Sequence, residues 1–304
     1  KNYFKQIYLT IKREISEHNF EKILNNYKQL SIYKFIINNR FVLEMFTNKK
    51  KSNKLIFINH GIFSHIRRHS IKYFLDNNYD ICILWRNNSK VNNNDDFIYE
   101  PFDASFELNE SIKLINNKFK YDKILILNYS AGCFTSIKYA INQDYIKPTN
   151  LKGFILVSAA PNARNNLKNL SKIIDYDFKK KLFHLLNKNA IQKYKINTKM
   201  TIEKIIGNIG CINNNMDINM ENIDKYYLNL DINYSKLTNI KKPFFLINSL
   251  DDNVSRIKNY GNINKYLVND VGFFILDKGY HTHFYNDLND TFLESVIINF
   301  FNKI

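Results

Sequence analysis

The stretch Leu125-Ile126-Leu127-Asn128-Tyr129-Ser130-Ala131-Gly132 carries an apolar strand into a serine flanked by small or turn-forming residues, and the amphipathic segment Thr135–Asn142 follows it. A strand that turns sharply into a helix leaves the residue at the turn standing at the open end of the strand. The turn closes only where the residues two positions either side are small enough for strand and helix to approach, the logic of a G-x-S-x-G turn. Gly132 meets that condition. Asn128 stands where glycine is usual, and asparagine tolerates unusual backbone better than most residues. Ser130 is therefore a candidate nucleophile, with Asn128 and Gly132 as its supports. Cys133 lies out of register for that role and reads as a small packing residue.

The chain on either side has the texture such a turn requires. Short, nearly continuous apolar runs recur at Leu55–Asn59, Ile81–Trp85, Ile124–Leu127, Phe154–Val157, Phe244–Ile247 and Phe273–Leu276. Each has the length of a strand buried on both faces. Amphipathic stretches such as Phe106–Phe119 lie between most of them, so an α/β fold is expected: a mostly parallel central sheet flanked by helices. Residues 33–47 read as two short strands with Asn38-Asn39 in the turn. The alternation breaks once, where more than 80 residues separate the Phe154–Val157 and Phe244–Ile247 runs. A structureless loop of that length is implausible. The polar, Lys- and Asn-rich stretch 165–235 therefore reads as a helical cap inserted into a core made of 33–164 and 236–304. The 304-residue length agrees, because it exceeds the roughly 250 residues at which a single core stops growing. Segment 1–32 reads as helical, with Phe4, Ile7, Tyr8, Ile11 and Ile15 in a stripe beside Lys1, Lys5, Lys12 and Arg13. It is expected to pack on the domain or to lie on a membrane surface. The Asn-rich stretches Asn92–Asn94 and Asn213–Asn215 read as exposed loops, and no internal repeat is present.

Two further segments fall in the order serine, acid, histidine. Leu246-Ile247-Asn248-Ser249-Leu250-Asp251-Asp252 is a strand ending in an acidic pair, and Phe273–Leu276 leads through Gly279-Tyr280 to His281. Strand ends of an open α/β sheet are where ligand-facing groups belong. A carboxylate that holds an imidazole tautomer, and an imidazole that takes a serine proton, make a catalytic triad. Asp252 is the first choice of acid from its D-x-V register, with Asp251 in reserve. His281 is the first choice of base, with His283 in reserve. Ile56-Phe57-Ile58-Asn59-His60-Gly61-Ile62-Phe63 is a strand ending in His-Gly. Gly61 lets the backbone turn so that the N–H of Ile62 or Phe63 faces a developing oxyanion, with the N–H of Ala131 as the other donor. His60 reads as structural, and His18, His65, His69 and His184 as surface residues.

Composition narrows the partners. The chain is 45% hydrophobic and 24% charged, with 24 Phe and 20 Tyr that point to a core or pocket built from rings. The net charge is +16 and the pI about 9.5. The basic residues are spread along the chain without a long tract. A compositional bias toward Lys, Asn and Ile, as in an A+T-rich genome, therefore explains the charge better than an anionic partner. No nucleic acid is expected, since no basic stripe or helix-turn-helix is visible. The three cysteines show no metal or CxxC spacing, which favours a reducing compartment, and neither metal nor cofactor is expected. No run of 18 apolar residues occurs and no signal peptide is seen. The sequence starts at Lys1 rather than an initiator methionine, which leaves room for an anchor or leader upstream. The expected location is the cytoplasm or the cytoplasmic face of a membrane.

On His60-Gly61, Tyr129-Ser130-Ala131-Gly132, Asn248-Ser249-Leu250-Asp251-Asp252 and Gly279-Tyr280-His281, the chain resembles the YheT-like, ABHD-type lipase and esterase branch of the α/β hydrolases. Tyr226-Tyr227, followed by Leu237 and Ile240-Lys241-Lys242-Pro243, adds to the likeness, which covers roughly residues 35–300. Asn128, Cys133 and Arg256 depart from that branch's usual Gly, Gly and Pro. The resemblance implies the fold, a helical cap, the triad Ser130, Asp252 and His281, and hydrolysis of an ester or thioester in an acyl or lipid substrate. Membrane association is implied by the eukaryotic members. The competing expectation is a catalytically weak or inactive scaffold that binds lipid or a protein partner.

Overall fold

The computed structural model describes residues 30–37, 41–48, 52–62, 68–86, 99–232, 234–261, 271–282, 284 and 291–304. Most of the expected N-terminal helix, Asn92–Asn94, His18, His65, Phe63 and His283 lie outside them. Strand β1 (Leu30–Ile37) begins three residues before the expected start of the core, so residues 30–32 are strand rather than helix.

Eight strands form one sheet: β1, β2 (Phe41–Asn48), β3 (Lys54–Asn59), β4 (Asp80–Trp85), β5 (Lys123–Tyr129), β6 (Leu151–Val157), β7 (Phe244–Ser249) and β8 (Val271–Leu276). Their spatial order is β1-β2-β4-β3-β5-β6-β7-β8. Strand β2 pairs antiparallel with β1 and β4, and the other pairs are parallel. The continuous apolar runs follow from burial on both faces, because successive side chains alternate. Leu55, Phe57, Ile124, Ile126, Phe154, Leu156 and Leu246 join one core, while Ile56, Ile58, Leu125, Leu127, Ile155, Val157 and Ile247 join the other. Helices α1 (Arg68–Asp76) and α10 (Phe292–Lys303) cover the second face with Ile71, Phe74, Ile297 and Phe301. Helices α2 (Ser105–Lys118) and α3 (Gly132–Ile141) cover the first with Leu108, Ile112, Phe134 and Ile137. Aromatic richness acts in the core here. Phe154 and Phe244 are register partners on β6 and β7, and their rings stack with centroids 4.5 Å apart. Such a pair adds about 0.5–1.5 kcal/mol beyond its buried area.

Between β6 and β7 the chain forms α4 (Ala163–Lys168), α5 (Lys172–Leu185), α6 (Lys188–Lys193), α7 (Ile202–Asn213), α8 (Met220–Leu230) and the short α9 (Tyr234–Leu237). The polar composition that marks this stretch starts its helices. Asn162, Ser171, Asn187, Thr201 and Asn219 each stand at an N-cap, where the side-chain oxygen accepts an N–H three residues on. Each such cap stabilises a helix by about 1 kcal/mol. Helix α7 is the buried centre, with Ile202, Ile205, Ile206 and Ile209 inside. The Tyr226 ring lies directly over Gly210, and Tyr227 Oη donates to Glu203 O at 2.6 Å. The double tyrosine thus fastens α8 onto α7. Asn213 is not in an exposed loop: it ends α7, and its side chain is engaged on both its nitrogen and its oxygen. Among the described residues no helix is long and apolar enough to cross a membrane.

Candidate active site

The parallel strands point their C-terminal ends the same way, and the expected site residues gather there. Ser130 follows β5 with φ of 51°, in the left-handed region that non-glycine residues avoid. Such backbone costs on the order of 1–3 kcal/mol and persists only where neighbours enforce it. Here Ser130 N–H donates to Val157 O at 2.9 Å, and Cys133 N–H donates to Ser130 O at 3.0 Å as α3 begins. Gly132 is where helix and sheet touch: a Cβ there would lie 2.9 Å from His60 O and nearer still to Asn59 O. Asn128, in the usual glycine position, is fully buried. Its Oδ1 accepts from Asn59 Nδ2 at 2.9 Å and from Ser136 Oγ at 2.5 Å, while its Nδ2 donates to Ile155 O at 3.0 Å. One amide therefore links β3, β5, β6 and α3 beneath the serine.

His281 Nε2 lies 2.8 Å from Ser130 Oγ, and His281 Nδ1 lies 3.1 and 3.2 Å from the two Asp252 oxygens. With Nδ1–H donating to the carboxylate, Nε2 is left to accept the serine proton. The Asp252 side chain is sealed from solvent and that of His281 is 17% exposed. Asp252 Oδ1 also accepts the N–H groups of Val254 and Ser255 at 2.8 and 2.7 Å, which fixes the carboxylate. Asp251 has a different place. Its Oδ1 accepts the N–H groups of Gly279 and Tyr280 at 2.9 and 2.8 Å, so it holds the backbone ahead of His281 rather than the ring. That backbone needs holding, because Tyr280 and Thr282 on either side of His281 have φ of 47° and 62°. Ser249 Oγ donates to Tyr280 O at 2.9 Å, and Thr282 N–H donates to Ser158 Oγ at 3.0 Å.

The His-Gly turn after β3 meets the serine from the other side. A Cβ on Gly61 would sit 3.3 Å from Ser130 Cβ and 3.8 Å from its Oγ. Ala131 is buried at the N-terminal end of α3, where unpaired backbone N–H groups and the helix dipole favour negative charge. Ile62 is also buried, and Phe63 lies outside the described residues. His60 is fully buried, with Nδ1 2.7 Å from Gly61 O and Nε2 accepting Arg86 N–H at 3.3 Å. Burial pushes the Cys133 thiol up, and its Sγ rests 3.7 Å from Val157 O, as a packing residue would. His184 is exposed, whereas His69 is half-buried rather than on the surface. Arg256, at the usual proline position, donates from Nη2 to Asn169 O at 3.0 Å and ties the acid loop to α4.

Sequence reasoning missed Ser158, Ser249, Arg86 and Tyr99. Ser158, Ser249 and Arg86 stand at the ends of β6, β7 and β4, so the strand-end rule that marked the acid could have marked them. Tyr99 follows a long polar stretch and carries no local signal.

No family model matches the chain, and no curated protein sequence matches it. Solved structures do. An esterase of Pyrococcus furiosus superposes with a TM-score of 0.55 at 13% identity, covering 91% of this chain and 92% of that one. An acylaminoacyl peptidase of Pyrococcus horikoshii gives 0.57 at 14% identity, covering 93% of this chain and 43% of that one. A protein of unknown function from Staphylococcus aureus gives 0.56 at 16% identity, covering 90% and 99%. With the strand order and the strand-end turns above, these likenesses establish the α/β-hydrolase fold.

Proposed function

We propose that this chain is a serine hydrolase of the carboxylesterase or lipase type, with Ser130 as nucleophile, His281 as general base and Asp252 as its orienting acid. The observation that carries the reading is the relay Ser130 Oγ–His281 Nε2 at 2.8 Å and His281 Nδ1–Asp252 at 3.1 Å, set on a left-handed serine. His281 Nε2 takes the hydroxyl proton as Ser130 Oγ bonds to the acyl carbon. The carbonyl π pair moves to oxygen, where the N–H groups of Ala131 and Ile62, with Phe63 as the other expected donor, receive the charge. The tetrahedral adduct collapses, and the leaving alcohol takes the proton from the imidazolium. Water, deprotonated by His281, then releases the acid and restores Ser130. The Asp252 carboxylate steadies the imidazolium.

The ester preference is supported by the likeness to the Pyrococcus furiosus esterase, which runs nearly end to end on both chains, whereas the peptidase likeness covers 43% of that chain. The lipase-like branch, an acyl or lipid substrate under the inserted helices, and work at the cytoplasmic face of a membrane belong to the same proposal. A fluorophosphonate probe is expected to label the wild type and not Ser130→Ala. Short p-nitrophenyl esters are expected to be cleaved faster than the matching p-nitroanilides. A wild type that is neither labelled nor active overturns the reading and leaves a binding scaffold in its place.

A further inference from the structure

The turn formed by His60, Gly61 and Ile62 has all three of its carbonyls taken by buried side chains. Arg86 Nη2 donates to His60 O, His60 Nδ1 lies 2.7 Å from Gly61 O, and Tyr99 Oη donates to Ile62 O. In a trans peptide the C=O and the following N–H point opposite ways, so a held carbonyl also aims the next N–H. Gly61 O is thereby tied to the direction of the Ile62 N–H, and Ile62 O anchors the outgoing end of the turn. Tyr99 is 1% exposed, and a hydroxyl buried that deeply is held by its hydrogen bond.

What holds Tyr99 is the helical stretch between β6 and β7. Tyr99 O accepts Asn213 Nδ2 at 2.7 Å, and Tyr99 N–H donates to Tyr194 Oη at 3.4 Å. Tyr194 Oη in turn donates to Asn213 Oδ1 at 3.2 Å, and the second hydrogen of Asn213 Nδ2 reaches Glu100 Oε2 at 3.1 Å. Asn213 ends α7 and Tyr194 is the C-cap of α6. The chain of contacts therefore runs from α6 and α7 through Asn213 and Tyr99 to the turn beside Ser130.

We infer that Tyr99 is a positioning residue for the oxyanion-binding turn, and that Asn213 makes the turn's placement depend on α6 and α7. The inference rests on the serine-hydrolase reading and adds a control point that the triad does not contain. Outright loss of an oxyanion donor lowers turnover by roughly 10²–10³-fold. Loss of the group that aims the turn is expected to lower kcat by about 10- to 10²-fold in Tyr99→Phe and somewhat less in Asn213→Ala, with KM within about twofold.

The test pairs kcat with the affinity of a trifluoromethyl ketone, which becomes a tetrahedral adduct on serine and leans on the oxyanion donors. Both variants are expected to lose ketone affinity by the same factor as kcat/KM, and Asn213→Asp, which sets an acceptor against Tyr99 O and a second carboxyl against Glu100, is expected to lose at least as much as Asn213→Ala. A Tyr99→Phe protein that melts like the wild type and keeps its kcat and ketone affinity overturns the inference and leaves the hydrolase reading standing. Should Tyr99→Phe fail to fold, Asn213→Ala decides alone, and unchanged turnover there overturns it equally. A wild type without activity overturns both readings together.

Discussion

Gly132→Ala is the sharpest perturbation the structure offers. The added methyl would lie 2.9 Å from both Asn59 C and His60 O, against ordinary contact from 3.4 Å, and the atoms it meets are backbone of the β3 end. No side chain can swing aside, and Asn59 O is nearer still, so the start of α3 must retreat from β3 by about an ångström. Overpacking of this kind costs about 1–3 kcal/mol, which lowers the melting midpoint by several degrees in a chain of this size. The same retreat carries Ser130 and Ala131 away from Gly61 and His281. Misplacement by 1 Å can lower a rate about 10²-fold, so a loss between about tenfold and 10²-fold is expected. The assay is kcat/KM on a short p-nitrophenyl ester beside a thermal melt. A Gly132→Ala protein with wild-type stability and wild-type kcat/KM would refute the claim that this glycine sets the distance between helix and sheet.

The acidic pair predicts unequal losses. Asp252→Asn is expected to lower kcat by about 10³–10⁴-fold, since an amide supports the wrong tautomer. Asp251→Asn keeps one oxygen for the Gly279 and Tyr280 N–H groups and is expected to lose only about tenfold; the reverse ranking in steady-state assays would exchange their roles. Asn128→Gly restores the usual residue but deletes the amide bonds to Asn59, Ser136 and Ile155 O, so calorimetry is expected to show a loss of about 1–3 kcal/mol with no gain in kcat. Burial is the chief cause raising Asp231 to about 6, with Lys236 and the Asn162 hydrogen bond pulling it back. The folded state thus binds this proton more tightly than the unfolded chain. Its contribution to stability is full below about pH 4 and is lost as pH rises through about 6. Asp231→Asn is therefore expected to gain stability relative to wild type at pH 7 compared with pH 4.5, read from urea midpoints at both values.

Much of this molecule is legible in local runs of sequence. Strands such as Leu55–Asn59 and Ile81–Trp85 announce themselves because burial on both faces leaves almost no polar position, Asn59 at the strand end being the exception. Each expected triad residue follows one of these runs, so its distance along the chain from a strand end was enough to place it near the others. The D-x-V register favours Asp252 over Asp251, and three dimensions add which neighbour each carboxylate meets, a ring or a pair of N–H groups. The bracing residues lay beyond reach for the same reason. Tyr99 and Asn213 are 114 positions apart and neither sits in a periodic pattern that tells of the other. Asn213 looked like loop because it stands among asparagines. Its neighbours Asn214 and Asn215 do leave the helix, and the contacts to Tyr99, Glu100 and Tyr194 distinguish it from them.

The two flanks of Ser130 obey different rules. Position 132 faces carbonyl oxygens and accepts nothing beyond hydrogen, whereas position 128 faces neighbouring strands and accepts an amide that finds partners on all sides. The strand flank therefore accommodates asparagine in this chain with the serine still in its left-handed turn. Of the two glycines of the G-x-S-x-G turn, this chain keeps only the one on the helix side. What the two flanks share is the task of holding one left-handed residue between a sheet and a helix, done on one side by the absence of a side chain and on the other by a fully bonded amide.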